Sequence, residues 1–473
     1  MPAPQNCDLI IRNGCLLTMD ARRSIIPQGA VAVKGHSITA AGPEKDILRD
    51  WHAKETIDAK GAIVHPGYVD AHLHVNAQTC RGFFRGDASK GDGKSGPNYA
   101  DWKATLTAED ENAAAGLAGV EMLRHGITSF CEPGSAFEPD AVAAATQAVG
   151  IRCTLAEPYL WDTTTIMDAI PGLASKSLFA RVPPERDRCM KLLGSQLFRN
   201  RDKDGITHGH VALYGEGTAS DELYVAGKKL ADREGVILNN HVGFDLDLAA
   251  AMERAYGKPR FVHFAEIGVL GPNTTFVHMN LIRDEEVDAI IKSGLSIIWC
   301  PLAYVSRGTP LRAHTRLPEM KKRGVNVALG TDSARQSSAG DAGFLALQLA
   351  GGAGHATVSE DIFEMMTLGG AQAAGLQHLV GSLEAGKRAD IVIRSMNAAE
   401  LMPSIDPVHQ LVTVGHGPNA DTVLVNGRIV LRGGRATLVD EADIFAKAQK
   451  SVRQIINRLG LSLPGLWPRS QAA

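Results

Sequence analysis

Two histidines separated by one residue, His72 and His74, follow a short apolar run that begins at Tyr68. If that run is a β-strand, alternate side chains point to the same side, so both imidazoles could bind one cation. A His-x-His pair alone is weak evidence for a metal site. Other strand-like runs end in residues of the same kind: His241, His278 and Asp332. If these strand ends converge, four imidazoles and one carboxylate would suit zinc, iron or cobalt.

Short apolar runs alternate with amphipathic segments through the middle of the chain. Each run is rich in β-branched residues and nearly continuous in apolar character, which is typical of a strand buried on both faces. The runs cover residues 68–72, 127–131, 151–156, 211–214, 236–239, 275–278, 295–300 and 325–330. Eight such units in about 320 residues predict an α/β protein with a (β/α)8 TIM barrel, whose strands converge at one catalytic face. A doubly wound sheet has the same alternation but would not explain the five side chains.

Strand-like segments also occur at both ends of the chain. Two Asn-Gly pairs, Asn13-Gly14 and Asn426-Gly427, predict hairpin turns there. We therefore expect one small β-sandwich domain built from both termini. The predicted division is residues 1–66 for the first part of the sandwich, 67–384 for the barrel, 385–440 for the second part of the sandwich and 441–473 for a C-terminal helix and tail. Periodic segments predict helices over 107–124, 284–292 and 358–373.

The composition limits the classes of function. The 473 residues are 44% hydrophobic and 21% charged, with a formal net charge of -3, which argues against a nucleic-acid or membrane partner. No apolar stretch approaches membrane-spanning length and no secretory signal is recognisable at the start. The seven cysteines are scattered and lack a Cys-x-x-Cys pair. These features predict a globular cytoplasmic protein with reduced thiols.

The order of the candidate ligands along the chain resembles that of the amidohydrolase superfamily. His72-x-His74, His241, His278 and the Gly-Thr-Asp segment ending at Asp332 fall on the first, fifth, sixth and eighth predicted strands. The resemblance is greatest to the branch of nucleobase, S-adenosylhomocysteine and triazine aminohydrolases and chlorohydrolases. That branch is related to hydrolases of phenylureas and thiocarbamates. Further similar segments lie at 121–128, 264–275 and 381–392, and the resemblance covers about residues 8–435.

The resemblance implies a role for each candidate residue. His72, His74, His241 and Asp332 would hold one divalent metal, zinc in preference to iron or cobalt, and His278 would be a further ligand or would orient the water or polarise the electrophile. The cation would lower the pKa of a water from 15.7 to about 7, and this water would attack a carbon that bears a nitrogen leaving group. Asp332 would be the general base. The resemblance also implies a homo-oligomer, a dimer or larger, and intact ligands argue against a non-catalytic scaffold.

Phe244 is the most informative departure from that branch. The branch usually carries a Glu three residues after the strand-five histidine, and this Glu passes a proton to a ring nitrogen; here the segment runs from His241 to Phe244. Since Phe cannot transfer protons, the departure favours hydrolysis of an amide, urea or carbamate-type bond in an apolar small molecule. The alternative is hydrolytic deamination or dechlorination of a purine, pyrimidine or triazine-like ring.

Glu216 lies between two glycines after the fourth predicted strand. It could supply the missing acid that protonates the leaving amine, or it could bridge a second metal. A solvent-facing loop Glu is the alternative. No lysine lies in residues 211–217, which argues against a carboxylated lysine as the bridge.

Scarce aromatic residues point to a substrate pocket. Trp102 matches a family position in the loop after the first strand, and we expect Phe244 and Tyr304 to make the pocket more apolar than a nucleoside site. Arg335, three residues after Asp332, is unusual for the branch, and a structural pair with Asp341 is its simplest explanation.

Overall fold

The protein is described from a computed structural model over residues 4–84, 98–165, 175–307, 316–333 and 337–462. Its strands in chain order are β1 (Gln5–Leu17), β2 (Ile25–Lys34), β3 (Ser37–Pro43), β4 (Trp51–Asp58), β5 (Ile63–Pro66), β6 (Tyr68–Asp70), β7 (Ile127–Cys131), β8 (Arg152–Leu155), β9 (Thr207–Gly209), β10 (Val211–Leu213), β11 (Leu238–Val242), β12 (Thr274–His278), β13 (Ser296–Trp299), β14 (Asn326–Leu329), β15 (Ile391–Arg394), β16 (Ala420–Val425), β17 (Arg428–Arg432) and β18 (Arg435–Ala436).

The described residues also form seventeen α-helices. They are α1 (Glu44–Asp50), α2 (Tyr99–Ala104), α3 (Ala108–His125), α4 (Pro139–Val149), α5 (Lys176–Arg181), α6 (Arg186–Leu192), α7 (Asp221–Glu234), α8 (Leu246–Tyr256), α9 (Arg260–Glu266), α10 (Asp284–Ser293), α11 (Pro301–Arg307), α12 (Arg316–Lys322), α13 (Asp341–Gly352), α14 (Ser359–Met366), α15 (Leu368–Ala373), α16 (Pro407–Val412) and α17 (Glu441–Arg458). Short 3-10 helices cover Val75–Cys80, Leu197–Arg201 and Ala399–Leu401.

Parallel strands form a closed barrel in the middle of the chain. One sheet has the order β6-β7-β8-β9 and the other the order β10-β11-β12-β13-β14. Only His210 separates β9 from β10, so the two form one strand position that pairs with β8 on one side and β11 on the other. The ring closes because Ala71 N donates to the Leu329 carbonyl and Asp332 N to the His72 carbonyl, both at 2.9 Å. The predicted (β/α)8 TIM barrel is confirmed.

Close packing between β14 and β6 depends on a glycine. A Cβ on Gly330 would lie 2.8 Å from the His72 Cβ and 3.0 Å from the His72 carbonyl oxygen. Any larger residue would therefore push the eighth strand away from the first. This contact holds together the two strand ends that carry His72 and Asp332.

Helix boundaries follow local capping chemistry. Thr107 caps α3, since its side chain accepts from Asp110 N while the Asp110 carboxylate accepts from Thr107 N. The predicted helix over 284–292 matches α10. The single helix predicted over 358–373 is wrong, because the chain breaks at Thr367 into α14 and α15. The Thr367 hydroxyl donates to the Phe363 carbonyl at 2.7 Å and so competes with helix continuation.

Strands from both termini form one small β domain beside the barrel. Its nine strands follow the order β18-β17-β16-β15-β5-β1-β2-β3, with β4 paired to β1. Asn426-Gly427 is a two-residue turn between β16 and β17, as predicted. The hairpin predicted at Asn13-Gly14 is wrong: Asn13, at φ 54°, lies in an irregularity inside the 13-residue strand β1.

A buried ion pair joins the β domain to the barrel. Arg152 on β8 donates to both carboxylate oxygens of Asp390, at 2.9 and 3.0 Å. We propose the division predicted from sequence, with residues 67–384 as the barrel domain. Across the described ranges, no helix combines the length and apolar character that crossing a membrane would require.

Candidate metal centre and pocket

The five side chains singled out in the sequence meet at the carboxyl ends of the barrel strands. His72 and His74 follow β6, His241 lies in β11, His278 ends β12 and Asp332 follows β14. His241 Nε2 lies 3.2 Å from both His72 Nε2 and His74 Nε2. Asp332 Oδ1 lies 3.4 Å from His74 Nε2, and Asp332 Oδ2 lies 3.9 Å from His278 Nε2. The convergence expected of a barrel is therefore present.

This donor set suits a divalent cation. Groups of three ligand atoms from these residues lie within 4.8 Å of one another. Two imidazole nitrogens, each 2.0–2.1 Å from a tetrahedral zinc, would be about 3.3 Å apart, close to the spacing of His241 Nε2 from its two neighbours. Four imidazoles and one carboxylate also form a typical ligand set for zinc, cobalt or iron.

Hydrogen bonds to the far side of two rings orient them toward the cluster. The Nδ1 of His241 contacts the Tyr214 carbonyl oxygen, which can only accept, so this nitrogen carries the proton. The Nδ1 of His74 lies 2.8 Å from Ser135 Oγ. The Ser135 hydroxyl donates to Glu132 and therefore accepts from the His74 ring. Both histidines thus present an unprotonated Nε2 to the cluster.

Glu132 is a supporting residue that sequence reasoning left unassigned. It follows β7, is buried, and accepts from the backbone N–H groups of Gly134 and Ser135. Burial raises the pKa of the Glu132 carboxyl to about 7, although these hydrogen bonds oppose the shift. Its position directly after a barrel strand was the available signal in the sequence.

Asp70 ties the first strand to the eighth. Its carboxylate accepts from His72 N at 3.2 Å, from Thr331 N at 3.0 Å and from Thr331 Oγ1 at 2.5 Å. Burial raises the pKa of Asp70 to about 7. Since its three donors adjoin His72 and Asp332, Asp70 sets the distance between those two cluster residues.

Two cluster residues have strained backbones. The backbone φ angle is 78° at His278 and 55° at Asp332, which lies in the left-handed region that residues other than glycine rarely adopt. Each such residue costs of order 1–3 kcal/mol, and such residues concentrate at active sites. The surrounding barrel therefore holds both side chains in positions that their local backbone preference would not select.

The cluster favours neutral imidazole. The pKa of His74 lies well below its ordinary value, with burial as the largest cause and with His72 and Lys103 among the smaller ones. A histidine must be deprotonated at the ligating nitrogen to bind a metal. The low pKa of His74 therefore suits a ligand.

A pocket that is open to solvent lies beside the cluster. Its lining comprises His74, Tyr99, Lys103, Tyr214, Gly215, His241, Phe244, His278, Asp332 and Ser333. Phe244 lies where it was expected, with its ring centroid 5.8 Å from that of His278. Asp332 is the single carboxylate among the described lining residues. The side chain of Tyr304 and the whole of Arg335 lie outside the described residues.

Glu216 does not lie where the sequence suggested. Its side chain is fully buried, and its Oε2 accepts from Arg260 Nη1 at 3.0 Å and from Gly243 N at 2.9 Å. It belongs neither to the ligand groups found among the described residues nor to the pocket lining. The predicted roles as proton donor and as bridge to a second metal do not fit this placement, because an Arg already satisfies the carboxylate. The alternative of a solvent-facing loop Glu is also wrong, because Glu216 lies in a turn but its side chain is buried.

Trp102 is a packing residue. It is fully buried, its Nε1 donates to Thr79 Oγ1 at 3.0 Å, and its neighbours include Phe83 and Ile455. The structure does not support the pocket role predicted for it, because α2 lines the pocket through Tyr99 and Lys103 and Trp102 is not among the lining residues. Sequence reasoning missed this pair because α2 was not predicted as a helix.

Cys300 is a further residue that the sequence did not single out as a ligand. It follows β13 and, with His278 and Asp332, forms a group of potential ligand atoms within 4.8 Å. The end of the seventh strand therefore also reaches the cluster.

The fold and the cluster together define a metal-dependent barrel hydrolase. The model of the Amidohydrolase family matches residues 63–430, and the chain belongs to this family. It acts on carbon–nitrogen bonds other than peptide bonds.

Curated relatives match over nearly their whole length. The chain is 28% identical over 470 residues to a 5'-deoxyadenosine deaminase of Methanosarcina mazei, covering 96% of this chain and 99% of the relative. It is 27% identical over 445 residues to a 5-methylthioadenosine/S-adenosylhomocysteine deaminase of Moorella thermoacetica, covering 91% and 96%.

Solved structures share the fold. An adenosine deaminase from Xanthomonas campestris with bound zinc superposes with a TM-score of 0.82 at 24% identity, covering 96% of this chain and 100% of the other. Atrazine chlorohydrolase from Arthrobacter aurescens TC1, complexed with zinc, gives a TM-score of 0.78 at 20% identity, covering 94% and 100%.

Proposed function

We propose that the protein hydrolyses an amide, urea or carbamate-type C–N bond in a small molecule with an apolar part, using one zinc ion. The observation that carries this proposal is the pocket wall formed by Phe244, beside the His278 ring. We also propose that the protein acts in the cytoplasm as a homo-oligomer, on the basis of composition and family resemblance.

The cluster residues divide the chemistry among them. His72, His74, His241 and Asp332 would hold the ion, which when bound supplies a Lewis acid that makes water ionisable near neutral pH. Asp332 accepts the proton of the attacking water, since it is the single carboxylate among the described pocket residues. His278 lies at the pocket wall, where its ring can polarise the carbonyl oxygen or orient the water.

Phe244 favours an acyl carbon for a chemical reason. Water attacks a heteroaromatic ring efficiently only when a ring nitrogen is protonated, whereas a carbonyl needs polarisation and a proton for the departing amine. The apolar side chain of Phe244, next to His278, cannot donate a proton to a ring nitrogen of the substrate. Asp332, once protonated, can pass its proton to the departing amine.

Deamination of an adenosine-type nucleoside is the second candidate. The similarity to 5'-deoxyadenosine deaminases, which extends over 96% of this chain, favours it. In that case a group other than residue 244 would have to protonate the purine, because Phe244 stands where the related deaminases usually carry a Glu.

One set of assays separates the two candidates. The zinc-loaded enzyme is given 5'-deoxyadenosine and S-adenosylhomocysteine, followed by the ultraviolet change on deamination, and a panel of aryl amides, phenylureas and carbamates, followed by amine release. We expect amine release from the panel and no deamination. Deamination with a higher kcat/KM than any member of the panel would overturn the proposal in favour of the second candidate.

A variant and a metal assay sharpen this result. Phe244→Glu restores a carboxylate at the pocket wall and should lower acyl hydrolysis while admitting ring deamination. Plasma mass spectrometry should find about one equivalent of zinc per chain after purification without added metal. Two equivalents would contradict the single-ion centre.

A further inference from the structure

Lys103 is a buried cation in the substrate pocket. It lies on α2, is 4% exposed and lines the pocket together with Phe244 and the cluster. Its Nζ donates to the Tyr214 hydroxyl at 3.0 Å. The same Nζ lies 5.0 Å from the ring centroid of Tyr99 and 5.4 Å from those of Tyr159 and Tyr214.

This ammonium group lacks a carboxylate partner. Across the described parts of the chain, no Asp or Glu oxygen forms an ion pair with Lys103. Lys228 offers a comparison, since it is 8% exposed but pairs with Asp232 at 2.5 Å. Buried charges are normally paired because desolvation is costly. Lys103 is thus an exception to the pattern that Lys228 follows.

The tyrosine rings stabilise the charge of Lys103 but do not neutralise it. The negative face of an aromatic ring attracts a cation that lies within about 6 Å of its centroid. An ammonium has three N–H donors, and in the described structure the Tyr214 hydroxyl takes one of them. Two donors are left for a molecule that enters the pocket.

The cluster does not supply the missing negative charge. Asp332 is the single carboxylate of the described lining, and it contacts the imidazoles of His74 and His278. A divalent cation among neutral histidines and one carboxylate would leave the cluster positive. The whole pocket therefore favours a negatively charged guest.

We propose that Lys103 and the Tyr214 hydroxyl bind a carboxylate of the substrate. Two adjacent donors match the two oxygens of a carboxylate, whereas a doubly charged phosphate would call for more cations than the one Lys or Arg of the described lining. This inference rests on the proposed function only in treating this pocket as the substrate pocket.

The position of Tyr214 sets the spacing within the substrate. Its ring centroid lies 5.8 Å from that of His241, and its hydroxyl contacts Lys103. The carboxylate therefore lies about one tyrosine side chain away from the cluster. Substrates with a carboxylate a few bonds from the scissile C–N bond fit this distance, with the apolar part against Phe244.

Binding of a matched pair of probes tests the inference without turnover. Calorimetry measures the affinities of 3-phenylpropionate and its neutral analogue 3-phenylpropionamide for the zinc-loaded enzyme. We expect the carboxylate to bind about tenfold more tightly to wild type, and Lys103→Met to reduce that preference to about twofold. Lys228→Met is the matched control and should keep the tenfold preference.

Two results would overturn the inference. The first is a wild-type enzyme that binds the carboxylate probe less than threefold more tightly than the amide, whatever the variants show. A preference that survives in Lys103→Met, with the same zinc content, would mean that the carboxylate is bound by the metal. Circular dichroism checks the fold of Lys103→Met, and Lys103→Gln replaces it if it is unfolded.

These outcomes differ from failure of the proposed function. If the carboxylate preference depends on Lys103 but no C–N substrate is turned over, the hydrolytic proposal fails and the anion site stands. If hydrolysis occurs without a carboxylate preference, the anion site fails and the hydrolytic proposal stands.

Discussion

The pocket has two walls that are built differently. The metal wall consists of strand-end residues whose side chains are oriented by hydrogen bonds from behind. His74 donates to the Ser135 hydroxyl, and His241 donates to the Tyr214 carbonyl. The other lining residues come from α2 and from the segments after β10 and β11, and there Lys103 contacts aromatic rings and one hydroxyl. The difference indicates that the barrel holds the reaction chemistry, whereas loops decide what is bound.

The residues that support the metal wall from behind are buried and acidic. Glu132 and Asp70 each accept several hydrogen bonds, and burial raises the pKa of both to about 7. Behind the neighbouring strand ends, Glu216 instead pairs with Arg260. Removing these groups in turn should therefore separate catalysis, stability and metal binding.

The largest effect is expected at the metal wall itself. Asp332→Asn keeps the shape of the side chain but removes the proton acceptor, so kcat should fall about 10³-fold, within the range for general-base catalysis. Steady-state kinetics on the best acyl substrate measures this loss. A folded, active Asp332→Asn enzyme would remove Asp332 from its role as base, and His72→Ala is the companion variant that should lose zinc.

Glu216→Gln should lower stability more than chemistry. Removing one partner of a buried ion pair costs about 3–5 kcal/mol, because Arg260 keeps its charge without its closest partner. Urea denaturation measures the free energy of unfolding, and kcat should change by less than tenfold. A loss of kcat as large as that of Asp332→Asn, at unchanged stability, would restore Glu216 as the proton donor.

Glu132→Gln should have an intermediate effect that is specific to the metal. It weakens the chain of hydrogen bonds through Ser135 to His74, and loss of such a partner typically lowers metal affinity or activity 10- to 100-fold. Competition with a zinc chelator measures the affinity. Unchanged affinity would mean that Glu132 merely shapes the loop from Gly134 to Ser135.

The smallest effect is a pH dependence of stability away from the pocket. Glu111 on α3 accepts from Phe137 N and Glu138 N, and burial raises the pKa of Glu111 to about 7. An exposed Glu titrates near 4.3, so between these values the folded state holds a proton that the unfolded state has lost. Stability should therefore fall as the pH rises from about 4.5 to 7, by on the order of 2 kcal/mol from this group.

Glu111→Gln is the matching variant. It resembles the protonated form, so its free energy of unfolding should vary less between pH 4.5 and 7 than that of wild type. Urea titrations at several pH values measure both slopes. Parallel slopes in the two proteins would assign the pH dependence to other carboxyl groups.

Prediction from sequence succeeded where one local pattern has one structural outcome. All eight apolar runs of the barrel form strands, and Asn426-Gly427 forms its turn. Prediction failed where tertiary contacts set the local conformation. The same dipeptide at Asn13-Gly14 lies inside a strand, and the helix predicted over 358–373 breaks at Thr367. Local propensity is a weak prior that tertiary contacts override.

The sequence alone determined the barrel, the order of the candidate ligands along the chain, and the presence of Phe244, which cannot transfer a proton, after the fifth strand. These follow from periodicity and residue type, and strand ends of a barrel must converge. Only the tertiary structure decided that Glu216 pairs with Arg260, that Trp102 is buried and that Lys103 lines the pocket. The physical reason is that these contacts join residues far apart in the chain, whose distance and orientation no local pattern encodes.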